Sequence, residues 1–478
     1  MDSSNRLQAN VLSVFAVAGM AAVLMSPSLG LYFNWGGMAL NAGPVAPLVY
    51  FACLLATLPT AYCYASVARQ VPSAGQAYTW LWRAAGPKVG FWTGIVLMFF
   101  YMSTVWLVLI MFSLFFHDFL TYLGAKPTFG YDILGLFIAV AFVAWVSYRK
   151  IKVNSQVSLG FLSFETLVVF ALGVVIFVTQ LVRGHASLAP INPVDTVGGF
   201  VGFRLAMIFG VLSFIGFDYA AVLAEEAKTP KRNVPRAVLL AVVLVGAFWI
   251  VVSYALSISV PMSDVAKYVN SGFTPVTPIA HLYMGIGSIL VIITGMSASL
   301  GNLSVAVPGA ARVLYAMGRD GSLPQVLGRV NPKTKVPSNA LHVVVVAGTV
   351  IAVGMGLLQG NFFNAYVWFG TLSTMLALTV YTMVAVSSGL FYWRFARDSF
   401  RVFQNAILPA IALLINGYLM WESIISGLWN QPFATGSSIL YFGFAVWVGA
   451  LVYTLVVSTR KPQLLVQTAR GLEEETGT

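Results

Sequence analysis

Charge is what this sequence lacks. Only 9% of its 478 residues are Asp, Glu, Lys or Arg, where a soluble domain carries about 25%. With 59% hydrophobic residues and a mean hydropathy of +0.85, too little polar surface is left to cover a water-soluble particle. That deficit excludes a cytosolic enzyme, a secreted domain and a disordered chain. Cysteine is nearly absent too. Cys53 and Cys63 share one apolar stretch, where helical rise would separate them by about 15 Å, beyond disulfide reach. The histidines (His117, His185, His281 and His342) are scattered. No metal-ligand spacing, P-loop or nucleophile elbow accompanies them, so no metal, cofactor or enzymatic chemistry is expected.

What is present is a succession of long apolar runs, the mark of an integral membrane protein. A membrane helix takes about 20 apolar residues, and twelve segments qualify: 9–38, 45–68, 87–116, 131–148, 155–182, 199–225, 235–260, 285–317, 339–359, 364–391, 403–425 and 436–458. The stretch before the first is short and polar with a single Arg, so it does not read as a cleavable secretory signal. With the N-terminus placed in the cytoplasm, all of the 26 basic residues fall on the cytoplasmic side except Lys126, Arg183, Arg204 and Lys267. That bias fits an even number of spans with both termini inside. The net charge of +11 is therefore topological, and a nucleic-acid partner is not expected. The acidic end, Glu473 to Glu475, reads as a solvated terminus.

Two of the runs are interrupted at matching places. The first contains Met25-Ser26-Pro27-Ser28; Pro27 lacks a backbone donor and clashes with the preceding turn. The sixth contains Ser213-Phe214-Ile215-Gly216-Phe217-Asp218, where Gly216 weakens the helix beside an ionisable group. If five helices form each half, these are corresponding members. Interrupted helices in corresponding positions mark the binding site of many secondary transporters.

Three stretches then carry a resemblance. Val71-Pro72-Ser73-Ala74-Gly75-Gln76-Ala77-Tyr78 is similar to a P-x-A-G-x-x-Y loop. The segment from Phe214 to Ala237, FIGFDYAAVLAEEAKTPKRNVPRA, is similar to G-x-E/D … E-E-x-x-x-P-x-x-x-x-P-x-A. The segment from Ala311 to Ala340 is similar to R-x-x-x-x-M-x-R-D-G-x-x-P … P-x-x-A. Together they resemble permeases of the amino acid–polyamine–organocation superfamily, over roughly Val11 to Arg394; the last two helices match only in being apolar.

The resemblance implies an all-α polytopic membrane protein of twelve transmembrane helices. Its fold would be the five-plus-five inverted repeat shared with the bacterial leucine transporter: residues 9–182 and 199–391 as repeats, and 403–458 as two extra C-terminal helices. The whole chain, 1–478, would be one membrane transport domain in the cytoplasmic membrane, carrying an amino acid or related amine by alternating access, by proton coupling or exchange. The partners implied are a small-molecule substrate, protons and the lipid bilayer.

Substrate would lie between helices 1, 3, 6, 8 and 10. Carried onto this sequence, that gives Met25, Ser26, Ser28, Tyr101, Ser213, Phe214, Ile215, Gly216, Asp218, Asn302 and Trp368 as substrate-site candidates. Two departures pull in opposite directions. Amino acid members usually have a Gly-Ser-Gly-like run at the first break, and the Ser26-Pro27 step here is closer to the putrescine-importer branch. That branch tends to place an acidic residue beside the helix 3 tyrosine, and here Phe100 precedes Tyr101. The substrate class stays open between amino acid and polyamine.

Acidic residues inside a membrane are costly and are functional candidates by default. Glu165 lies about three turns into the fifth segment, where proton-coupled relatives can carry a lysine. It reads as a proton carrier or an anchor for a substrate ammonium; the plainer alternative is a buried Glu hydrogen-bonded to a neighbouring helix. For Asp218, after the second break, the resemblance implies a gating and proton-linkage role; the local alternative is an aspartate bonding the amides freed at the break, and the two are compatible. Glu225 and Glu226 stand before Lys228, Lys231 and Arg232, as a gate salt bridge or a surface charge cluster. Arg312 is a gate partner or a snorkelling side chain. Ser297, Ser299 and Ser304 accompany Asn302 as site-lining or helix-packing residues.

Overall fold

A computed structural model describes residues 7–269, 274–429 and 437–460. Arg6, Lys461, Arg470 and the Glu473–Glu475 run lie outside the described residues. The architecture is helical throughout: α1 (Val14–Met25), α2 (Pro27–Ala42), α3 (Ala46–Gln70), α4 (Ala77–Ala85), α5 (Pro87–Tyr122), α6 (Phe129–Ser147), α7 (Ile151–Val182), α8 (Gly199–Ser213), α9 (Tyr219–Val222), α10 (Pro230–Ser257), α11 (Val265–Val269), α12 (Val276–Met284), α13 (Ile289–Arg319), α14 (Ser338–Gln359), α15 (Phe362–Phe395), α16 (Leu408–Met420), α17 (Ser426–Trp429) and α18 (Ser438–Arg460).

Among the described residues, ten helices are long and apolar enough to cross a membrane. The expectation was twelve segments, and the difference has a local cause. The first two expected segments lie in one nearly continuous run, Val14–Gln70, and the sixth is helical only over the 15 residues of α8. The chain is a multi-pass membrane protein. Side chains directed outward from the bundle are apolar and exposed, as Leu167, Val182, Val350 and Leu414 illustrate, which suits a lipid-facing surface.

The centre is built from the longest helices. α5 packs against α13 and α15, and α10 packs against α3 and α1. Both expected interruptions form, at Pro27 and at Gly216. At the first, the Ser26 amide closes α1 by bonding the Ala22 carbonyl at 2.9 Å, and Ser26 adopts φ +48°. Pro27 then sits at the first position of α2, where its missing N–H costs nothing. Its carbonyl accepts from Trp249 Nε1 of α10 at 2.8 Å.

At the second, α8 ends at Ser213, and the chain runs through turns to the single turn of α9. Gly216 takes φ +116°, open in practice only to glycine. A Cβ there would lie 2.9 Å from the Leu24 carbonyl carbon and 3.0 Å from the Met25 nitrogen. The two broken helices therefore touch backbone to backbone, and Gly216 is the point of contact.

Candidate functional site

The polar groups freed at the breaks are answered from three helices. Glu165 of α7 is buried at 1% exposure, and its Oε2 receives the Ser26 hydroxyl at 2.9 Å, the Ser28 hydroxyl at 2.5 Å and the Ser28 amide at 3.3 Å. A carboxylate thus faces the first turn of α2, where unpaired amides and the helix dipole favour an anion. Asn302 of α13 serves the opposite terminus, donating from Nδ2 to the Leu24 carbonyl at 2.9 Å. The end of α1 and the start of α2 are each completed by a side chain from elsewhere.

Asp218 is fully buried and holds the second break from behind. Tyr101 of α5 donates to its Oδ2 at 2.6 Å and Tyr381 of α15 to its Oδ1 at 2.7 Å. Gln76 donates onward to Tyr101 Oη at 3.1 Å, and Tyr381 Oη accepts the Gly216 amide at 3.1 Å. Asp218 makes no side-chain cap to α9. Beyond bonding its own backbone amide, its carboxylate cross-links α5, α15 and the second break.

Beside the breaks lies a cavity of about 560 Å³. It runs from Ser26, Gly216 and Asn302 toward Val269 and Pro275 of the α11–α12 connection and Phe363 at the start of α15. Of the expected site residues, Met25, Ser26, Ser213, Ile215, Gly216 and Asn302 line it. Ser28, Tyr101 and Asp218 are set behind its wall, committed to the bonds just described. Phe214 is turned away, its ring edge-on to Trp249 at 4.9 Å.

Trp368 must be corrected. Its indole donates to Ser438 of α18 at 3.1 Å and packs on Phe442. The cavity stripe of α15 is broad, carrying Phe363, Tyr366, Val367, Gly370, Thr371, Ser373 and Thr374, and Trp368 lies just past its edge, toward α18. The pattern of small and hydroxylated residues on that stripe was the signal available for it. Two hydrogen-bonded pairs in the wall were also missed: Asn34 Nδ2 donates to Ser213 Oγ at 2.8 Å, and Thr104 and Ser373 share one bond at 2.8 Å. Among the described residues, no Asp, Glu, Lys, Arg or His lines the cavity.

At one end of the bundle the acidic pair is resolved into two separate partnerships. Arg312 grips Glu226 through Nε at 2.8 Å and Nη2 at 3.0 Å, and both side chains are buried, at 3% and 1% exposure. Arg312 therefore does not snorkel, and Glu226 is not part of a surface cluster. Glu225 instead takes Arg319 at 3.1 Å and the Ala74 amide at 3.1 Å. Just past α13, burial pushes the Asp320 carboxyl up to about 6, while Arg319 beside it pulls the other way. The segment before α1 closes over this end. Val11 and Leu12 donate to the Glu226 carbonyl, and Lys228 donates to Leu12 at 2.8 Å, forming an isolated parallel bridge from Leu12 to Ala227.

In the serine run of α13, Ser299 bonds its own backbone at Gly295, and Ser304 bonds Ser158 of α7 at 2.6 Å. Those two are packing residues, unlike Asn302.

A family model described as amino acid permease matches residues 10–457. The chain belongs to that family. The match extends through the last two long helices, which motif reading alone left as merely apolar. This permease is 28% identical to the branched-chain amino acid permease BcaP of Bacillus subtilis, over 77% of its own length and 78% of the relative's. It is 26% identical to the low-affinity putrescine importer PlaP of Escherichia coli, over 86% and 88%. It is 24% identical to the methylthioribose transporter of Bacillus subtilis, over 97% and 96%. Its fold is shared with the Eremococcus coleocola manganese transporter crystallised with an aromatic bis-isothiourea compound, at a TM-score of 0.56, 13% identity and 99% coverage of both chains.

Proposed function

We propose that this permease carries a small amino acid or a related monoamine across the cytoplasmic membrane by alternating access, coupled to protons through Glu165. The observation that carries the reading is a cavity at two touching helix breaks with no charged side chain in its wall. At such breaks a half-helix N-terminus can meet a carboxylate, and unwound carbonyls can meet an ammonium. A zwitterion needs no fixed countercharge. A diamine would bring two ammonium groups into a wall with no carboxylate, at a cost in desolvation. Kinship with BcaP and with PlaP is of similar strength, so the wall, not the relatedness, favours the amino acid.

Twelve spans fit this reading, with α1 and α2 as one interrupted helix and α8 and α9 as its counterpart in the second repeat. Residues 9–182 and 199–391 are then the two repeats, and both termini are cytoplasmic. The Arg312–Glu226 pair, with Glu225 and Arg319 beside it, forms the closed inner gate, and the cavity opens to the other side. Met25, Ser26, Ser213, Ile215, Gly216 and Asn302 contact substrate. Ser28, Tyr101 and Asp218 hold the breaks in shape.

Competition in proteoliposomes tests the proposal. Uptake of a labelled neutral amino acid should be blocked by other neutral amino acids and left unaffected by putrescine. Block by putrescine but by no amino acid would transfer the permease to the polyamine reading.

A further inference from the structure

Behind the inner gate lies a second, much smaller cavity, of about 10 Å³. It is walled by Ser147 of α6, Asn154 of α7, Arg312 of α13 and residues of the segment leading into α14. Three of its wall residues are buried to 2% exposure and each brings one buried polar atom without a protein partner: Ser147 Oγ, Asn154 Oδ1 and Arg312 Nη1. The other groups of the same residues are committed. Arg312 Nε and Nη2 hold Glu226, and Asn154 Nδ2 donates to the Ser304 carbonyl at 2.8 Å.

We infer that this cavity is a binding site for one structural water, which joins the gate arginine to α6 and α7. The space equals about one water, and the three atoms supply what a water needs: a donor from Arg312, an acceptor from Asn154 and a hydroxyl that can act either way. An anion fits less well, because it would face the Asn154 oxygen. Arg149, the other charged residue in the wall, has its guanidinium over the Trp145 ring at 5.6 Å from the centroid. Arg312 is then held on both edges, by Glu226 on one and by the water on the other. Ser147 and Asn154 become positioning residues for a gate whose carboxylates they never touch. The inference rests on the gate reading above.

Ser147 gives the discriminating variant, because its hydroxyl makes no hydrogen bond within the protein. Were it truly idle, Ser147→Ala would remove an unsatisfied buried group and leave the gate unchanged or tighter. If it holds the water, the same change loosens Arg312. The readout is hydrogen–deuterium exchange at the Leu12 and Lys228 amides, which are bonded across the inner seal, in purified full-length protein. Ser147→Ala is expected to speed their exchange about threefold to tenfold, and wild-type protein at better than about 2 Å resolution should show water density within hydrogen-bond distance of all three atoms. Unchanged or slower exchange, or no density where other buried waters are visible, overturns the inference. Glu226→Gln is the control for the gate itself. If it leaves the same amides as protected as before, the gate reading fails, while the density still decides the water.

Discussion

Replacing Glu165 with Gln tests the coupling most directly. Three donors converge on one carboxylate oxygen, two of them hydroxyls of the first break and one the first amide of α2, that of Ser28. Protonation would remove the anion from a helix N-terminus, an interaction that contributes about 0.3–2 kcal/mol, and would weaken charge-assisted bonds that are roughly twice as strong as neutral ones. Under the proposed coupling, the proton would thereby be tied to the geometry of the break beside the cavity. Gln keeps the shape and one acceptor oxygen but cannot titrate, so substrate binding should fall by no more than about tenfold, or 1.4 kcal/mol. One proton carried per substrate concentrates it about tenfold per pH unit of gradient, since a pH unit is worth about 1.4 kcal/mol. Proteoliposomes holding wild-type protein and given an inward gradient of one unit should approach that ratio. Glu165→Gln should exchange substrate but settle at equal concentrations. Tenfold accumulation by the variant would refute the assignment and leave Glu165 as a structural cap, with the proton site to be sought at Asp218.

The remaining expectations are briefer. Gly216→Leu places side-chain atoms against the Leu24 and Met25 backbone, so binding by thermal shift should vanish while the protein still reaches the membrane; affinity within threefold of wild type would move the site off the second break. Arg312→Ala strands Glu226 in a buried setting, for which about 3–5 kcal/mol of destabilisation is expected, read as a lowered melting temperature; Arg312→Ala with Glu226→Ala should recover much of it, and no recovery would mean that the two do not act as a pair. Asp218→Asn should damage exchange and net uptake alike, because Asp218 holds Tyr101 and Tyr381 together; a selective loss of the proton response would instead make it the coupling residue. Uptake should persist when choline replaces sodium, and its collapse would reveal a sodium site.

Features set by chain chemistry were legible in the sequence, whereas features set by helix rotation were not. Ser26-Pro27 and Gly216 announce the breaks because proline and glycine act on their own backbone wherever they sit. Glu165 and Arg312 stood out because ionisable groups in apolar helices need a reason to be there. What those groups face is another matter. That Glu165 meets Ser26 and Ser28, or that Tyr381 shares Asp218 with Tyr101, depends on how α7 and α15 are turned and how deep they sit. Trp368 shows the cost of judging by residue type. A large aromatic on α15 stands out by type, yet the face that helix gives to the cavity includes the hydroxyls of Thr371, Ser373 and Thr374.

The seclusion of the two cysteines has a practical consequence. Cys53 and Cys63 are fully buried, and Cys53 Sγ is directed to the Met207 carbonyl at 3.4 Å. Thiol reagents should find the native chain nearly silent. Spin labels or fluorophores could then be attached at cysteines introduced near Val269, Phe363 or Lys228 without first stripping the protein of its own thiols. Distances across the two ends of the bundle could be followed as the carrier works, in a molecule altered only where the probes sit.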